Sequence, residues 1–143
     1  MKKIKVFYSE LEQILEKLSN RKITTIVGDF NAKIGVTKED RNLRETVGLY
    51  GLGERNVRGE RLLHFCIDNN IFITNAGFLH HPRRLYTWMS PGDRYRNQTG
   101  YILVKSCWRT IFKDVKTYPE KDCNSDHQLL LAELRIKLRK NNK

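Results

Sequence analysis

The sequence predicts a single layered domain of the α/β or α+β class, with helices packed against sheets. Three observations predict it. Two stretches with apolar residues at helical spacing are each followed by a short β-branched or aromatic run. A series of strand-like segments then fills the second half. Finally, 143 residues and 16.9 kDa suit one domain with a substantial core. Hydrophobic residues make up 39% and charged residues 30%, without repeats or low-complexity tracts, which argues against general disorder.

In order along the chain, Ser9 to Leu18 reads as an amphipathic helix, with Leu11, Ile14, Leu15 and Leu18 on one face and Ser9 and Glu12 as a capping box. Asn20 stops it. Lys22 to Val27 is β-branched and reads as a buried strand that runs into the loop Gly28-Asp29-Phe30-Asn31. Strand ends of this kind are where α/β proteins place ligands. From Lys33 to Val57 periodicity is lost among glycines and mixed charges, and a long surface loop is expected. Gly59 to Asn69 is a second helix, with Leu62, Leu63, Phe65 and Cys66 inward, and Ile71 to Thr74 is the next strand. Strands are expected over Leu85 to Met89, Tyr95 to Val104, Trp108 to Thr117 and Gln128 to Leu138. Ser90-Pro91-Gly92-Asp93 turns the first two into a hairpin. The domain is taken as residues 1–138, and 139–143 as a basic disordered tail.

Lys and Arg total 27 against 16 Asp and Glu, a formal charge of +11. That excess favours polyanionic partners, nucleic acid first, although a merely solubilising charge is the plainer alternative. Five of the positives crowd into Arg135 to Lys143. Cys66, Cys107 and Cys123 are odd in number and lack zinc-ligand spacing, which suits a reducing compartment. No apolar run approaches the ~20 residues of a membrane span, and the basic start has no secretory signal. A soluble, intracellular protein of nucleus or cytoplasm is expected, with no membrane partner.

Two short groupings carry chemistry. Asp29 and Asn31 sit two apart; on extended backbone both would face one phosphate, Asp29 as a general base for water and Asn31 as a donor to a phosphoryl oxygen. The bland alternative is an Asx turn closing a strand. In Asn124-Ser125-Asp126-His127, Asp126 offers a Mg²⁺ ligand or a nucleophile-orienting carboxylate, and His127 a phosphate contact. Taken alone, this second grouping is more often a turn or cap.

Together with Tyr86-Thr87-Trp88 and Asn97-Gln98-x-x-Tyr101-Ile102-Leu103, these motifs resemble the later motifs of the endonuclease/exonuclease/phosphatase superfamily. The resemblance is greatest to the endonuclease domain of non-LTR retrotransposons of the RTE/BovB kind and to host proteins related to it. Gly51 to Leu63 and His80 to Trp88 carry that narrower likeness, which covers nearly the whole chain. It implies the second half of a four-layered α/β sandwich that cuts DNA phosphodiesters with Mg²⁺ or Mn²⁺. By the same likeness, Asp29 would activate water, Asn31 and His127 would hold the phosphate, and Asp126 would serve the metal. Trp88 and Asn97 join the substrate-binding set. A DNA-probing hairpin would fall at Ser90 to Asn97, with Arg94 and Arg96 reaching backbone or groove. Arg83 and Arg84 are further phosphate candidates, with ordinary surface arginines as the alternative.

Two departures follow from the same likeness. Where the pattern reads Ile-Asp-Tyr, this chain has Thr99-Gly100-Tyr101, so the carboxylate that would orient the histidine is missing. An Asp-to-Asn change at the analogous position of the serine-protease triad costs about 10⁴ in rate. No spacing argument brings Asp93, Glu120 or Asp122 to His127 instead. The chain also starts where the second half of the pattern starts, which implies an incomplete magnesium site. The expectation is an endonuclease relative with impaired or absent activity. A basic nucleic-acid-binding remnant without catalysis, or a non-functional remnant, is the alternative. Half a sandwich should also expose much of one apolar sheet face, giving a marginally stable fragment first of all, or else self-association or a covering partner.

Overall fold

The computed structural model describes residues 2–119 and 125–137. Asn124, Cys123, Glu120, Asp122, Leu138 and the expected tail over 139–143 lie outside them. The elements run α1 (Lys2–Glu16), β1 (Thr25–Asp29), α2 (Val57–Asp68), β2 (Ile71–Ile73), β3 (Trp88–Met89), β4 (Arg96–Asn97), β5 (Gly100–Lys105), β6 (Phe112–Tyr118) and β7 (Leu129–Leu134). They form three antiparallel sheets, β1-β5-β2, β3-β4 and β6-β7, so the mixed α/β class holds. Among the described residues no helix is long and apolar enough to cross a membrane.

Register decides what each face of the central sheet meets, because side chains alternate along a strand. Ile26 pairs with Leu103 and Gly28 with Tyr101, and this face packs on α1 and α2. The other face carries Ile102, Val104 and Phe72, and the β6-β7 hairpin covers it through Phe112, Val115, Leu130 and Ala132. Ile102 and Val104 are therefore buried, contrary to a sheet face left bare. Within the strands, the exposed large hydrophobics are Val27 of β1 and Leu129, Leu131 and Leu134 of β7, while others lie on the two helices and in loops.

Several expectations shift. The first helix begins at Lys2, not Ser9, so Ser9 lies inside it and caps nothing. The reason is the stripe Ile4, Tyr8, Leu11 and Leu15, which reaches the core about two turns earlier, while Ile14 and Leu18 stay exposed. Burial of that stripe outweighs the modest helix propensity of Ser9. β1 starts later than expected, includes Gly28 and Asp29, and is an edge strand rather than a buried one; Val27 is 66% exposed. Lys33 to Val57 holds only one short 3₁₀ turn, Arg41–Leu43, but it is not a surface loop. Ile34, Leu43 and Val47 enter the core, and a Cβ at Gly48 would lie 2.1 Å from the Ala76 carbonyl oxygen.

The second helix starts at Val57 because Asn56 caps it, its Oδ1 accepting from Gly59 N at 2.8 Å. The hairpin at Ser90 to Asp93 forms as expected, although its strands shorten to two residues each. Between β4 and β5 the Thr87 hydroxyl accepts from both Thr99 N and Gly100 N at 2.9 Å, which breaks the expected continuous strand. Ser106–Ile111 forms a 3₁₀ segment, delaying the next strand to Phe112. β7 stops at Leu134 rather than running on to Leu138.

Candidate active site

Asp29 closes β1 directly opposite Gly100 of β5. Its Oδ1 accepts the Asn31 backbone N–H at 2.9 Å, and Asn31 takes a left-handed φ of 48°. The Asx turn is thus real, and the extended backbone expected across this pair is not what forms. Both residues nevertheless line one open cleft of about 300 Å³, with Lys33, Asn56, Trp88, Asn97, Thr99 and His127. The turn is anchored from beneath. The fully buried Tyr101 hydroxyl accepts from Ile34 N at 3.2 Å and donates within reach of the Ala32 and Gln98 carbonyls, at 2.9 and 2.8 Å. Burial pushes the Tyr101 hydroxyl well above the ordinary tyrosine range, so it stays protonated and keeps this donor role.

Asp126 and His127 arrive from the other side on a short segment that extends β3. Met89 N donates to the Asp126 carbonyl at 3.0 Å, Gln128 N to the Thr87 carbonyl at 2.8 Å, and Trp88 forms an isolated bridge with His127. The Trp88 indole N–H donates to Asp126 Oδ2 at 3.0 Å. Ser125 contributes its hydroxyl oxygen to His127 N at 3.1 Å. The imidazole then lies between two carboxylates, Nδ1 at 3.7 Å from Asp29 Oδ2 and Nε2 at 3.7 Å from Asp126 Oδ1. Both separations exceed hydrogen-bond length but lie within ion-pair reach.

The structure brings Asp29, Asn31, Trp88, Asn97 and His127 to the cleft, with Asp126 beside it. The arginines go elsewhere. Arg96 forms a two-pronged ion pair with Asp93 at 2.7 and 2.6 Å and lies 4.9 Å from the centre of the Tyr86 ring, so it is held and not a free probe. The Asp93 hydrogen bond raises the Arg96 pKa and, reciprocally, holds the Asp93 carboxyl below its usual range. Arg94 is exposed on the hairpin. Arg83 and Arg84 sit on the 3₁₀ turn Pro82–Arg84, with the Arg84 guanidinium 5.5 Å from the Tyr118 ring centre.

Asp93 is therefore committed to Arg96, and among the described residues Asp29 lies 3.7 Å from His127 Nδ1. The sequence already implied that Asp29 and His127 share one pocket, but it did not point to Lys33 and Asn56. The N-cap pattern Asn56-x-x-Gly59 was the one available signal for Asn56. A second histidine pair lies in the His80 to Trp88 stretch, where His80 Nε2 meets Asp114 Oδ1 at 2.5 Å and Lys116 Nζ lies 3.4 Å from Asp114 Oδ2. Burial pushes the Asp114 carboxyl up, but hydrogen bonds and charge from His80 and Lys116 outweigh it and hold it below its ordinary value.

No protein-family model matches the chain. It is 43% identical over 133 residues to craniofacial development protein 2 of Bos taurus and 41% identical over 133 residues to that of Tragulus javanicus. In each case the match takes in 93% of this chain but spans only 22% of the relative's length. Among solved structures, the endonuclease domain of TRAS1, a telomere-specific non-LTR retrotransposon, superposes with a TM-score of 0.64 at 15% identity, covering 94% of this chain and 53% of that domain. The chain thus has an endonuclease-like fold, its coverage fitting the C-terminal half of such a domain, and is similar in sequence to craniofacial development protein 2.

Proposed function

We propose that the cleft is a nucleic-acid phosphodiester site of the endonuclease type, impaired in hydrolysis by the missing carboxylate at residue 100. One observation carries the reading: His127 lies 3.7 Å from Asp29 on one side and 3.7 Å from Asp126 on the other, beside the Asn31 turn. A phosphate entering there meets neutral donors from Asn31 and Asn97, an imidazole, and a carboxylate able to take a proton from water. In this reading Asp29 is the general base and His127 steadies charge that develops on the phosphoryl oxygens.

Among the described residues no group of three or more His, Cys, Asp and Glu side chains forms a metal-binding cluster. Magnesium commonly uses only one or two carboxylates and fills its shell with water and phosphate, and the donors present fit that sparse mode. Asp126 would hold the ion through Oδ1, since Oδ2 carries the Trp88 indole, with Asp29 nearby. The ion would offset charge on the scissile phosphate.

Impairment follows from Gly100. The residue opposite Asp29 has no side chain, so this position offers no carboxylate to set the tautomer and orientation of the imidazole. Binding without hydrolysis is the second reading, favoured by the glycine opposite Asp29. The test is nicking of supercoiled plasmid in Mg²⁺ or Mn²⁺. Slow nicking lost on His127→Ala supports the impaired enzyme. Its absence, with DNA binding retained, selects the second reading, and loss of both nicking and binding rejects the site.

A further inference from the structure

Lys33 follows the Asn31 turn by two residues and lines the same cleft as Asp29, Asn31 and His127. Its backbone is fixed by the start of α2. Lys33 N donates to Asn56 Oδ1 at 3.1 Å, and its carbonyl accepts from Asn56 N at 3.0 Å. Gly59 comes so near that a Cβ there would stand 1.8 Å from the Lys33 carbonyl oxygen, so only glycine permits the approach. The side chain therefore leaves a rigid point at the mouth of the cleft. No carboxylate among the described residues pairs with its half-buried ammonium, since the ion pairs go to Arg55, His64, His80, Arg96, Lys116 and His127. The Asn56 Oδ1 is taken by the Lys33 and Gly59 backbone donors, which leaves its NH₂ as a second donor on the same wall.

We propose that Lys33 is a phosphate-binding residue of this cleft, its ammonium taking a non-bridging oxygen of a nucleic-acid backbone without help from a divalent cation. An unpaired ammonium held beside amide donors is suited to an anion, and the phosphodiester backbone supplies one at each nucleotide. The inference rests on the phosphodiester reading above but not on hydrolysis.

The test is binding of a short DNA duplex by the whole chain in EDTA, titrated over salt. Lys33→Gln is expected to weaken binding about fivefold at ~50 mM salt and to flatten the slope of log K against log salt by about 0.9. Lys38→Gln, altering an exposed lysine outside the cleft, should change neither. Lys33→Arg should keep the wild-type slope, because it keeps the charge. Thermal melting of Lys33→Gln should match wild type, since the anchoring contacts are backbone ones. No binding by the wild-type chain, equal slopes for Lys33→Gln and Lys38→Gln, or an Arg variant as weak as Gln would each overturn the assignment. If no variant nicks in Mn²⁺ while the Lys33 slope difference persists, hydrolysis falls and this residue's role stands. Nicking intact with equal slopes gives the converse.

Discussion

His80 lies 2.5 Å from Asp114, with side chains 17% and 25% exposed, whereas His127 lies 3.7 Å from Asp29, with side chains 47% and 34% exposed. The residue types are the same and the settings differ. The first pair joins the segment before β3 to β6, with Lys116 alongside, and its groups spend their hydrogen bonds on one another. The second spans a gap between two segments that reach the cleft separately, one from β1 and one from the bridge to β3. A satisfied pair contributes to the fold and is closed to substrate. A more exposed imidazole at longer separations from its carboxylates gains less from each of those pairs. Separation and exposure, rather than residue identity, distinguish the structural histidine from the candidate functional one.

The largest expected effect comes from making the open pair resemble the closed one. Gly100→Asp should raise plasmid nicking by roughly 100-fold, about 2.7 kcal/mol of barrier, by giving His127 an orienting carboxylate. The site admits it, since the atoms nearest to a Cβ at Gly100 would be those of the Thr87 side chain at 3.5 Å and the Gly28 carbonyl oxygen at 3.6 Å, ordinary contact distances. The introduced acid faces Asp29 across the β1–β5 ladder, so a stability cost of about 0.5 kcal/mol should accompany the gain. Unchanged nicking beside a normal melting curve would show that orientation is not what the cleft lacks.

Breaking the closed pair comes next. Asp114→Asn should lower the free energy of unfolding by about 1–2 kcal/mol in urea titrations, against under ~0.5 kcal/mol for Asp29→Asn. Equal losses would erase the distinction. The Asp114 effect should also depend on pH. Because its carboxyl is held below the ordinary value of about 3.9, its contribution is complete above that value and is lost as pH falls through the lowered one. The gap between wild type and Asp114→Asn should therefore persist at neutral pH and close below about pH 4, measured by unfolding at a series of pH values. Smallest of all, Trp88→Phe removes the indole donor to Asp126 and should cost about 0.5 kcal/mol of stability while loosening DNA binding more than the melting curve shows.

Periodicity carried the parts of this fold that depend on local pattern. The Leu62, Leu63, Phe65 and Cys66 face of α2 and the Ser90 to Asp93 hairpin are local, and they form where residue spacing places them. What depends on neighbours was not legible. The β-branched composition of Ile23 to Val27 fits an edge strand as well as a central one, because propensity does not report who pairs with it. Ile34, Leu43 and Val47 enter the core from aperiodic backbone that offers no repeat to read. At the cleft, the groupings around Asp29 and His127 stood out by residue type. Their meeting, implied by the resemblance but not by residue spacing, follows from the β1–β5 register and the Trp88 bridge. Those are contacts between residues about forty to a hundred positions apart.

The position of β1 has a cost in handling. Its hydrogen bonds run to β5 alone, so one line of amide and carbonyl groups from Thr25 to Asp29 faces outward next to an exposed Val27. Such a rim templates cross-β stacking between chains, and its interior carries neither proline nor lysine to discourage it. Concentrated solutions should thicken or precipitate before the molecule melts, and a lysine in place of Val27 is the gatekeeper that should delay it.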